Sequence, residues 1–478
     1  MPEFHVEHFG CRAARADGEA VSSRLRAEGF HESHPNAADV VVVNTCSVTA
    51  EADRAARAFI RRTHRLNPLA RIVVTGCYAQ RAPHELAAIP GVAAVVGNSH
   101  KAFAPEIISG LILPPNQAGK SVPTPTNLVS LQSLIAGNAP IWADDRFAHS
   151  FIEEAQLVPG QQTRPNLKIQ EGCGNRCTFC TIPQTRGHSK SLRHEVVMKQ
   201  IEGFVAAGGN ELVLSGINLG RWGRELPSAP GSTKPTLAAL VRHIFQATGL
   251  PRLRLSSIEP MDWDADLIAL LAQFGGTRLA RHAHLPLQSG SDAVLRRMHR
   301  RYRPWHYAEK VEALQRAAGP KLTLGADVMV GFPGETDAEF EETLALVRAL
   351  PFGYLHLFPF SPRPGTRGWA LHAASPVAPH AVDERMTALR ALAAEKTCAH
   401  RTRFIGQQLE AITLHTPAPL AELGRTSALT ENFVPVEIKG QLSANQLVRV
   451  RIFGINPEAE LEAEEVRFAL PSLTASVQ

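Results

Sequence analysis

The sequence predicts an α/β protein in three parts: an N-terminal domain on a small parallel sheet, a central partial barrel of six βα units, and a small antiparallel β-barrel. Three observations predict it. Short apolar runs alternate with polar, helix-like stretches over residues 1–105, the alternation resumes after residue 165, and after Phe404 helical periodicity gives way to β-rich runs.

In order, FHVEHF, ADVVVVNT, RIVVTG and GVAAVVG are strand-like runs separated by helix-like ones, a βαβα rhythm that makes a parallel sheet covered by helices. From Leu113 to Pro165 the text becomes LPP, VPTPT, NAP and VPGQQTRP, and a linker or surface excursion is expected. LKIQ, NELVLSG, RLRLSSI, HAHLPLQ, LTLGADVMVGF and GYLHLFPF then supply six strands with crossover helices, an open or partial barrel rather than a full eightfold one. LEAITL, RTSALT, FVPVEI and QLVRVRIFGI read as the last module, ending near Leu470. The expected domains are therefore 1–112, 113–165 as linker, 166–403 and 404–470.

Composition narrows the function classes. With 44% hydrophobic and 20% charged residues, the chain has the balance of a soluble globular protein. Its longest apolar runs, such as Val40–Val43 and Val92–Val96, fall far short of the roughly 20 residues of a membrane span. The opening MPEFHVEHFGC lacks the apolar stretch of a signal peptide, so a cytoplasmic protein with no membrane partner is expected. A net charge of +5 permits a polyanionic partner without requiring one. Seven unevenly spaced cysteines do not make a disulfide framework and are better read as ligands or catalytic groups.

Cys173, Cys177 and Cys180 follow the strand LKIQ, so they lie on a loop at a strand's carboxyl end, where α/β folds place their chemistry. C-x3-C-x2-C can hold three irons of a 4Fe-4S cluster and leave the fourth open to a small molecule. The alternatives are a zinc loop completed by His188 or His194, or three buried structural thiols. Cys11 follows FHVEHFG, Cys46 follows VVVNT and Cys77 follows VVTG, each at the end of a successive strand. In a parallel sheet those ends share one edge, so three cysteines remote in sequence converge on a possible second cluster. Cys398, in AEKTCAHRT, has no partner cysteine nearby and is expected to be structural.

C-x3-C-x2-C with an aromatic, Phe179, before the last cysteine resembles the signature of radical S-adenosylmethionine enzymes. NTCSVTAEADR, VVTGCYAQ, CGNRCTFCTIPQTRG, LSGINLG, RLSSIEP, HLPLQSGSD, ADVMVGFPGET and FPFSPRPGT together, in order, resemble the methylthiotransferase family over nearly the whole chain, and the β module resembles its TRAM domain. The resemblance implies two 4Fe-4S clusters, on Cys11, Cys46 and Cys77 and on Cys173, Cys177 and Cys180, with S-adenosylmethionine chelated at the open iron of the second set. It implies that a radical attacks the unactivated C–H bond at carbon 2 of a tRNA adenine, for which side-chain acid–base chemistry offers no route. A reductant such as a flavodoxin or ferredoxin and an unknown sulfur donor are implied with it.

Ser215, Gly216, Glu259, Gln288, Asp327 and Gly331, the last in the stretch Gly331–Pro333, stand at strand ends as candidates to hold S-adenosylmethionine, with a loop-stabilising hydrogen bond as the rival role for each, and Phe179 in the cysteine loop joins them as a cofactor-binding candidate. Arg54, Arg57 and Arg61 recur along one helix, with Arg62 and Arg65 adjacent, and LRRMHRRYRP adds Arg296, Arg297, Arg300, Arg301 and Arg303. Such clusters can neutralise RNA phosphates, although a charge run is more often a solvated face. Asn432 and Phe433 match the family's Asn–Tyr pair, with a ring that can still stack and no phenol. Ala13-Ala14-Arg15 departs from the Asn or Gln usual after Cys11. Among the family's substrates (isopentenyladenosine in tRNA, threonylcarbamoyladenosine in tRNA, a ribosomal-protein aspartate), NTCSVTAEADR, RLSSIEP and LGADVMVGFPGET look most like the threonylcarbamoyl branch. A metal protein that only binds RNA is the alternative of another class.

Overall fold

The computed structural model describes residues 1–112, 138–147, 150–152, 157–159, 165–227, 234–456 and 460–466. In the N-terminal domain, β1 (Glu3–His8), β2 (His31–Glu32), β3 (Val40–Thr45), β4 (Arg71–Gly76), β5 (Val92–Gly97) and β6 (Ile141–Trp142) form one sheet in the order β2-β1-β3-β4-β5-β6. Every neighbouring pair is parallel. All of β3 is buried because helices cover both faces. Val41 and Val43 pack on one side with Ile60 and Val74, and Val40 and Val42 on the other with Leu25 and Ile107. Each such valine contributes about 1.5–3 kcal/mol.

Two edge strands depart from the expectation. β2 has two exposed residues and no hydrophobic pattern. β6 comes from the segment expected to be a linker and pairs with Val95 and Val96 through two buried residues, Ile141 and Trp142. The linker reading therefore fails for this part, and residues 113–137 lie outside the described residues.

The central domain holds β7 (Asn166–Glu171), β8 (Lys190–Ser191), β9 (Glu211–Gly216), β10 (Arg252–Leu255), β11 (His282–His284), β12 (Thr323–Val330) and β13 (Phe352–Pro359). The six expected strands appear in sequence order, with β8 an added antiparallel edge on β7. They form two sheets, β10-β9-β7-β8 and β11-β12-β13, linked by a bridge between Leu253 and Leu279 and by Ile258 N donating to His284 O at 3.0 Å. Leu167, Ile169, Leu212, Leu214, Ala283, Leu285, Ala326 and Val328 pack in the large outer core. Alternation along each strand then turns Lys168, Gln170, Glu211, Arg254, His282, His284 and Asp327 inward.

β13 does not pair with β7, so the barrel is open on one side. The N-terminal domain lies across that side: Asn166 Nδ2 donates to Arg12 O at 2.9 Å, and Arg363, beyond β13, donates to Asp53 at 2.6 Å.

The last module is a closed barrel of β14 (Gln408–Thr413), β15 (Arg425–Thr430), β16 (Pro435–Lys439), β17 (Leu447–Ile455) and β18 (Leu461–Glu465), in the order β14-β15-β16-β18-β17. It is antiparallel except for β16 and β18, which run parallel. β18 was not expected from its sequence, because LEAEE offers only Leu461 and Ala463 to the core. Among the described residues no helix is long and apolar enough to cross a membrane.

Candidate active site

Cys11, Cys46 and Cys77 stand at the carboxyl ends of β1, β3 and β4, three adjacent strands in register: His8 pairs with Asn44, and Asn44 with Thr75. The chain order reverses between β1 and β3, the position at which open α/β sheets bind ligands. Gly10, at φ +121°, lets the loop pass close to Cys46; a Cβ there would lie 2.7 Å from Cys46 Cβ. Burial, then the neighbouring Cys77 and Cys11, pushes the Cys46 thiol up to about 12. Cys46 and Cys77 are buried and Cys11 is exposed, and thiols that raise one another's pKa in this way become thiolates when a metal supplies the compensating charge. Asn98 Nδ2 and Arg186 Nε reach Cys77 Sγ at 3.5 and 3.3 Å, the kind of donors that sulfur ligands of a cluster accept. The donor set fits an iron–sulfur cluster.

The second triad is local. Cys173 Sγ accepts from Asn175 N at 3.4 Å and Asn218 Nδ2 at 3.6 Å, and Cys177 Sγ from Arg300 Nη1 at 3.2 Å. Burial raises Cys177 and pushes Cys180 up to about 12. Phe179 packs on the outer core, which fixes the loop between the last two cysteines. His194 is stacked on His243 and bonded to it at 2.6 Å, and His188 is exposed. Beside Cys177 lies a cleft of about 330 Å³ lined by Asn175, Arg176, Arg221, Glu259, Arg300 and Arg301 among others.

The expected cofactor residues divide. Ser215 Oγ and Gln288 Oε1 are buried with no hydrogen-bond partner among the described residues, as are Asn218 Oδ1 and Ser256 Oγ. These orphaned atoms lie at or just beyond the ends of β9, β10 and β11, and buried polar atoms without partners mark where a polar ligand completes the site. Gln288 also sits at φ +64°, a conformation costly for a non-glycine residue. Gly216 packs against Gln170, whose Cβ would be 2.7 Å from an added Cβ. Glu259 is ion-paired with Arg300 at 2.5 Å, so this carboxylate already has a cationic partner. Gly331 gives its N–H to Glu335 at 2.8 Å, which Arg385 holds in turn, the loop-stabilising role rather than the cofactor one. Asp327 accepts from His284 at 3.1 Å and His356 at 3.2 Å. Burial alone would raise its pKa, but these two hydrogen bonds hold it well below the ordinary carboxylate value.

Sequence reasoning missed the groups that join the parts. Arg186 donates to Cys77, to Glu171 at 2.7 Å and to Asp17 at 3.0 Å, while Lys168 and Lys101 also bond Glu171 and Asp17. Glu171 ends β7, just before Cys173, so one buried charge network runs from the first triad to the root of the second. Inside the barrel, Tyr354 Oη bonds His282 at 2.8 Å and His284 at 3.0 Å, continuing the chain of polar contacts from Asp327. Phe433, at φ +68°, stacks on His282 with centroids 4.1 Å apart. The guanidinium carbons of Arg12 and Arg254 lie 5.6 and 5.4 Å from that ring. Only paired carboxylates or repeated contacts would have flagged these residues in advance, and single histidines and arginines on separate strands carry no spacing signal.

Residues 3–97 match the family described as "Uncharacterized protein family UPF0004", and residues 167–347 the "Radical SAM superfamily". The threonylcarbamoyladenosine tRNA methylthiotransferase of Bacillus subtilis (strain 168) is 33% identical over 94% of this chain and 93% of its own length. The chain belongs to the radical S-adenosylmethionine methylthiotransferase family. The same-named protein of Aquifex aeolicus (strain VF5) is 31% identical over 93% of this chain and 99% of its own. The tRNA-2-methylthio-N(6)-dimethylallyladenosine synthase of Geobacter metallireducens is 31% identical over 84% and 85%. A cobalamin-binding radical S-adenosylmethionine methyltransferase from Kitasatospora setae, TsrM, shares the fold, with a TM-score of 0.53, 16% identity and coverage of 75% of this chain and 74% of that one. As a radical S-adenosylmethionine methylthiotransferase, the protein is an enzyme that uses an iron–sulfur cluster and S-adenosylmethionine.

The residues expected to meet RNA in this methylthiotransferase are split by the structure. Arg54 and Arg61 are exposed on the helix Ala50–Leu66, as are Arg62 and Arg65. Arg57 instead donates to Tyr78 Oη at 2.5 Å and Glu85 at 3.0 Å. Arg296 and Arg303 pair with Asp292, Arg297 with Glu339, Arg300 with Glu259, and Arg301 lies 3.7 Å from Asp262, so that second cluster is largely spent on internal acids. Asn432 is fully buried; its amide bonds Lys321 O at 3.0 Å and accepts from Thr430 at 2.7 Å, docking the C-terminal barrel onto the central domain. Its partners leave it no face for RNA. Phe433 points into the central barrel for the same reason. Ala13 and Ala14 are buried and Arg15 pairs with Glu19, while Cys398 is exposed on the helix Pro379–Thr402 rather than part of a packed core.

Proposed function

We propose that this chain is a tRNA methylthiotransferase that places a methylthio group on carbon 2 of threonylcarbamoyladenosine at tRNA position 37, next to the anticodon. The observation that carries the reading is the tie between the two triads: Arg186 touches Cys77 and, through Glu171, the strand that delivers Cys173. Two thiol sets held in one buried network suit a reaction that needs hydrogen abstraction and sulfur placement at the same carbon. Cys173, Cys177 and Cys180 would hold the cluster that binds S-adenosylmethionine, and Cys11, Cys46 and Cys77 a second 4Fe-4S cluster. When bound, these groups would supply a radical and a sulfur for an unactivated C–H bond.

The chain's own residues position and shield. Arg300, Asn218 and Asn175 N direct hydrogen bonds to the loop sulfurs, Ser215 and Gln288 offer unfilled polar atoms to S-adenosylmethionine, and the C-terminal barrel closes one end of the chamber with Phe433. Exposed Arg54 and Arg61 suit the tRNA backbone. An external one-electron donor such as a flavodoxin or ferredoxin would supply the electron this chemistry needs, and the cytoplasm is where tRNA would be met. Relatives named for dimethylallyladenosine, at similar identity, support that adenosine as the second reading.

Nucleoside mass spectrometry of tRNA from cells lacking the protein is the test. Loss of 2-methylthio-threonylcarbamoyladenosine, restored by the wild-type chain, is the expected result. Loss of the dimethylallyl product instead, or an unchanged profile, overturns the reading.

A further inference from the structure

We propose that Arg12 is the residue that reads the substituent on the substrate adenine, its guanidinium receiving the free carboxylate of the threonylcarbamoyl group. This rests on the reading in the preceding subsection and names how that substrate is told from a dimethylallyl one.

Arg12 directly follows Cys11 and opens the helix Arg12–Ala27, and its carbonyl is pinned to Asn166 at the start of β7. Its side chain thereby reaches across the open side of the barrel to the floor formed by Phe433, His282 and Tyr354. The comparison with Arg254 on the same ring is informative. Arg254 is fully satisfied: Nε and Nη2 each meet Glu211 at 3.0 Å, and the carbonyls of Thr430 and Glu431 accept at 3.2 Å. Arg12 is half-buried beside it, yet among the described residues its guanidinium makes no hydrogen bond and no ion pair.

A guanidinium carries five N–H donors and remains charged, and holding it next to a second cation without an acceptor is costly. Glu211 favours the Arg12 charge from a distance but makes its direct contacts with Arg252 and Arg254. Asp327 is bonded to His284 and His356, and the Tyr354 phenol to His282 and His284. Among the described residues, then, no carboxylate is hydrogen-bonded or ion-paired to the Arg12 guanidinium, whereas Arg252 and Arg254 both have one. A planar anion that accepts two parallel N–H bonds is the ligand group such a fork suits. The threonylcarbamoyl group ends in a carboxylate; a dimethylallyl group is apolar, and would bury the fork against hydrocarbon. Arg12 adjoins Cys11 in sequence, so the residue that would bind the anion and a ligand of the N-terminal triad belong to one short stretch of chain.

The test measures binding of the reconstituted full-length protein to three anticodon stem-loops that differ only at position 37: threonylcarbamoyladenosine, its methyl ester, and dimethylallyladenosine. The wild type is expected to prefer the free acid over the ester by about tenfold or more, the size of a charge-assisted hydrogen bond. Arg12→Met should erase that preference, and Arg12→Lys, which keeps charge without the fork, should cut it severalfold. Iron content and circular dichroism control for damage at Cys11, and if Arg12→Met loses iron the lysine variant decides. Three results overturn the proposal: no preference in the wild type, an unchanged preference in the variants, or equal weakening toward all three RNAs, which would mark a backbone-phosphate contact. Turnover separates this failure from the other. A wild type that methylthiolates the threonylcarbamoyl RNA while the variants keep its preference sinks only the role of Arg12, whereas no product from that RNA sinks the substrate reading itself.

Discussion

Cys173, Cys177 and Cys180 sit on one loop after β7, whereas Cys11, Cys46 and Cys77 are delivered by three neighbouring strands of another domain. The loop triad depends on local chain geometry and a few donors, Asn175 N, Asn218 and Arg300. The sheet triad exists only once β1, β3 and β4 have paired, and its outer contacts, Asn98 to Thr185 and Arg186 to Cys77, reach into the central domain. The contrast teaches that a defect in the loop should stay chemical, while a defect around the sheet triad should be felt as stability across a domain boundary.

The largest expected effect breaks the two apart. Cys177→Ala should reduce deoxyadenosine formation from S-adenosylmethionine to background and abolish the methylthio product. Cys46→Ala should keep forming deoxyadenosine but insert no sulfur. Reconstituted iron should fall from about eight to about four per chain when either whole triad is replaced by alanine. A folded Cys46→Ala protein that makes product at the wild-type rate removes the sheet triad from the mechanism.

The boundary between the two regions is probed by Glu171→Gln. Burial on its own would raise the pKa of Glu171, but Arg186, Lys101 and Lys168 overcome it and hold the carboxyl well below its usual range. Glutamine leaves those three cations facing Asp17 alone, at a cost of about 3–5 kcal/mol. A depressed folded-state pKa contributes stability that is fully present above the unfolded value near 4.3 and is lost as pH falls toward the folded value. Thermal midpoints of wild type and variant should therefore differ most above about pH 5 and converge in stronger acid; a gap independent of pH would show that the carboxylate charge is not what holds the boundary.

The smallest effect sharpens the surface side of the comparison. The double variant Arg54→Gln, Arg61→Gln should weaken tRNA binding severalfold and reduce the salt slope of affinity by about two, one per phosphate contact. Arg57→Gln should do less to the slope, because Tyr78 and Glu85 already hold that side chain. Filter binding across a salt series reads both, and an unchanged slope in the double variant excludes this helix from the RNA interface.

Periodicity and spacing by themselves determined the six central strands, four of the six N-terminal ones, four of the five barrel strands and both cysteine triads, because those signals are local or repeat at a fixed interval. Burial on both faces wrote Val40–Val43 as a continuous apolar run, and the loop triad is legible as C-x3-C-x2-C. Only the tertiary structure decided that β6 completes the first sheet and β18 closes the last barrel, since a two-residue strand such as Ile141–Trp142 is too short to show a period and LEAEE offers little apolar content, so each is recognised by the partner it meets. It likewise decided that Asn432 docks a domain, that Arg57 is held by Tyr78 and Glu85 while Arg54 and Arg61 stay exposed, that Arg12 reaches the Phe433 ring, that Arg186 joins Cys77 to Glu171 and that His356 bonds Asp327. Charge and hydrogen-bonding capacity are written in each residue, but whether they are spent inside the protein or left for a ligand depends on neighbours hundreds of residues away, and that information exists only after the chain has folded.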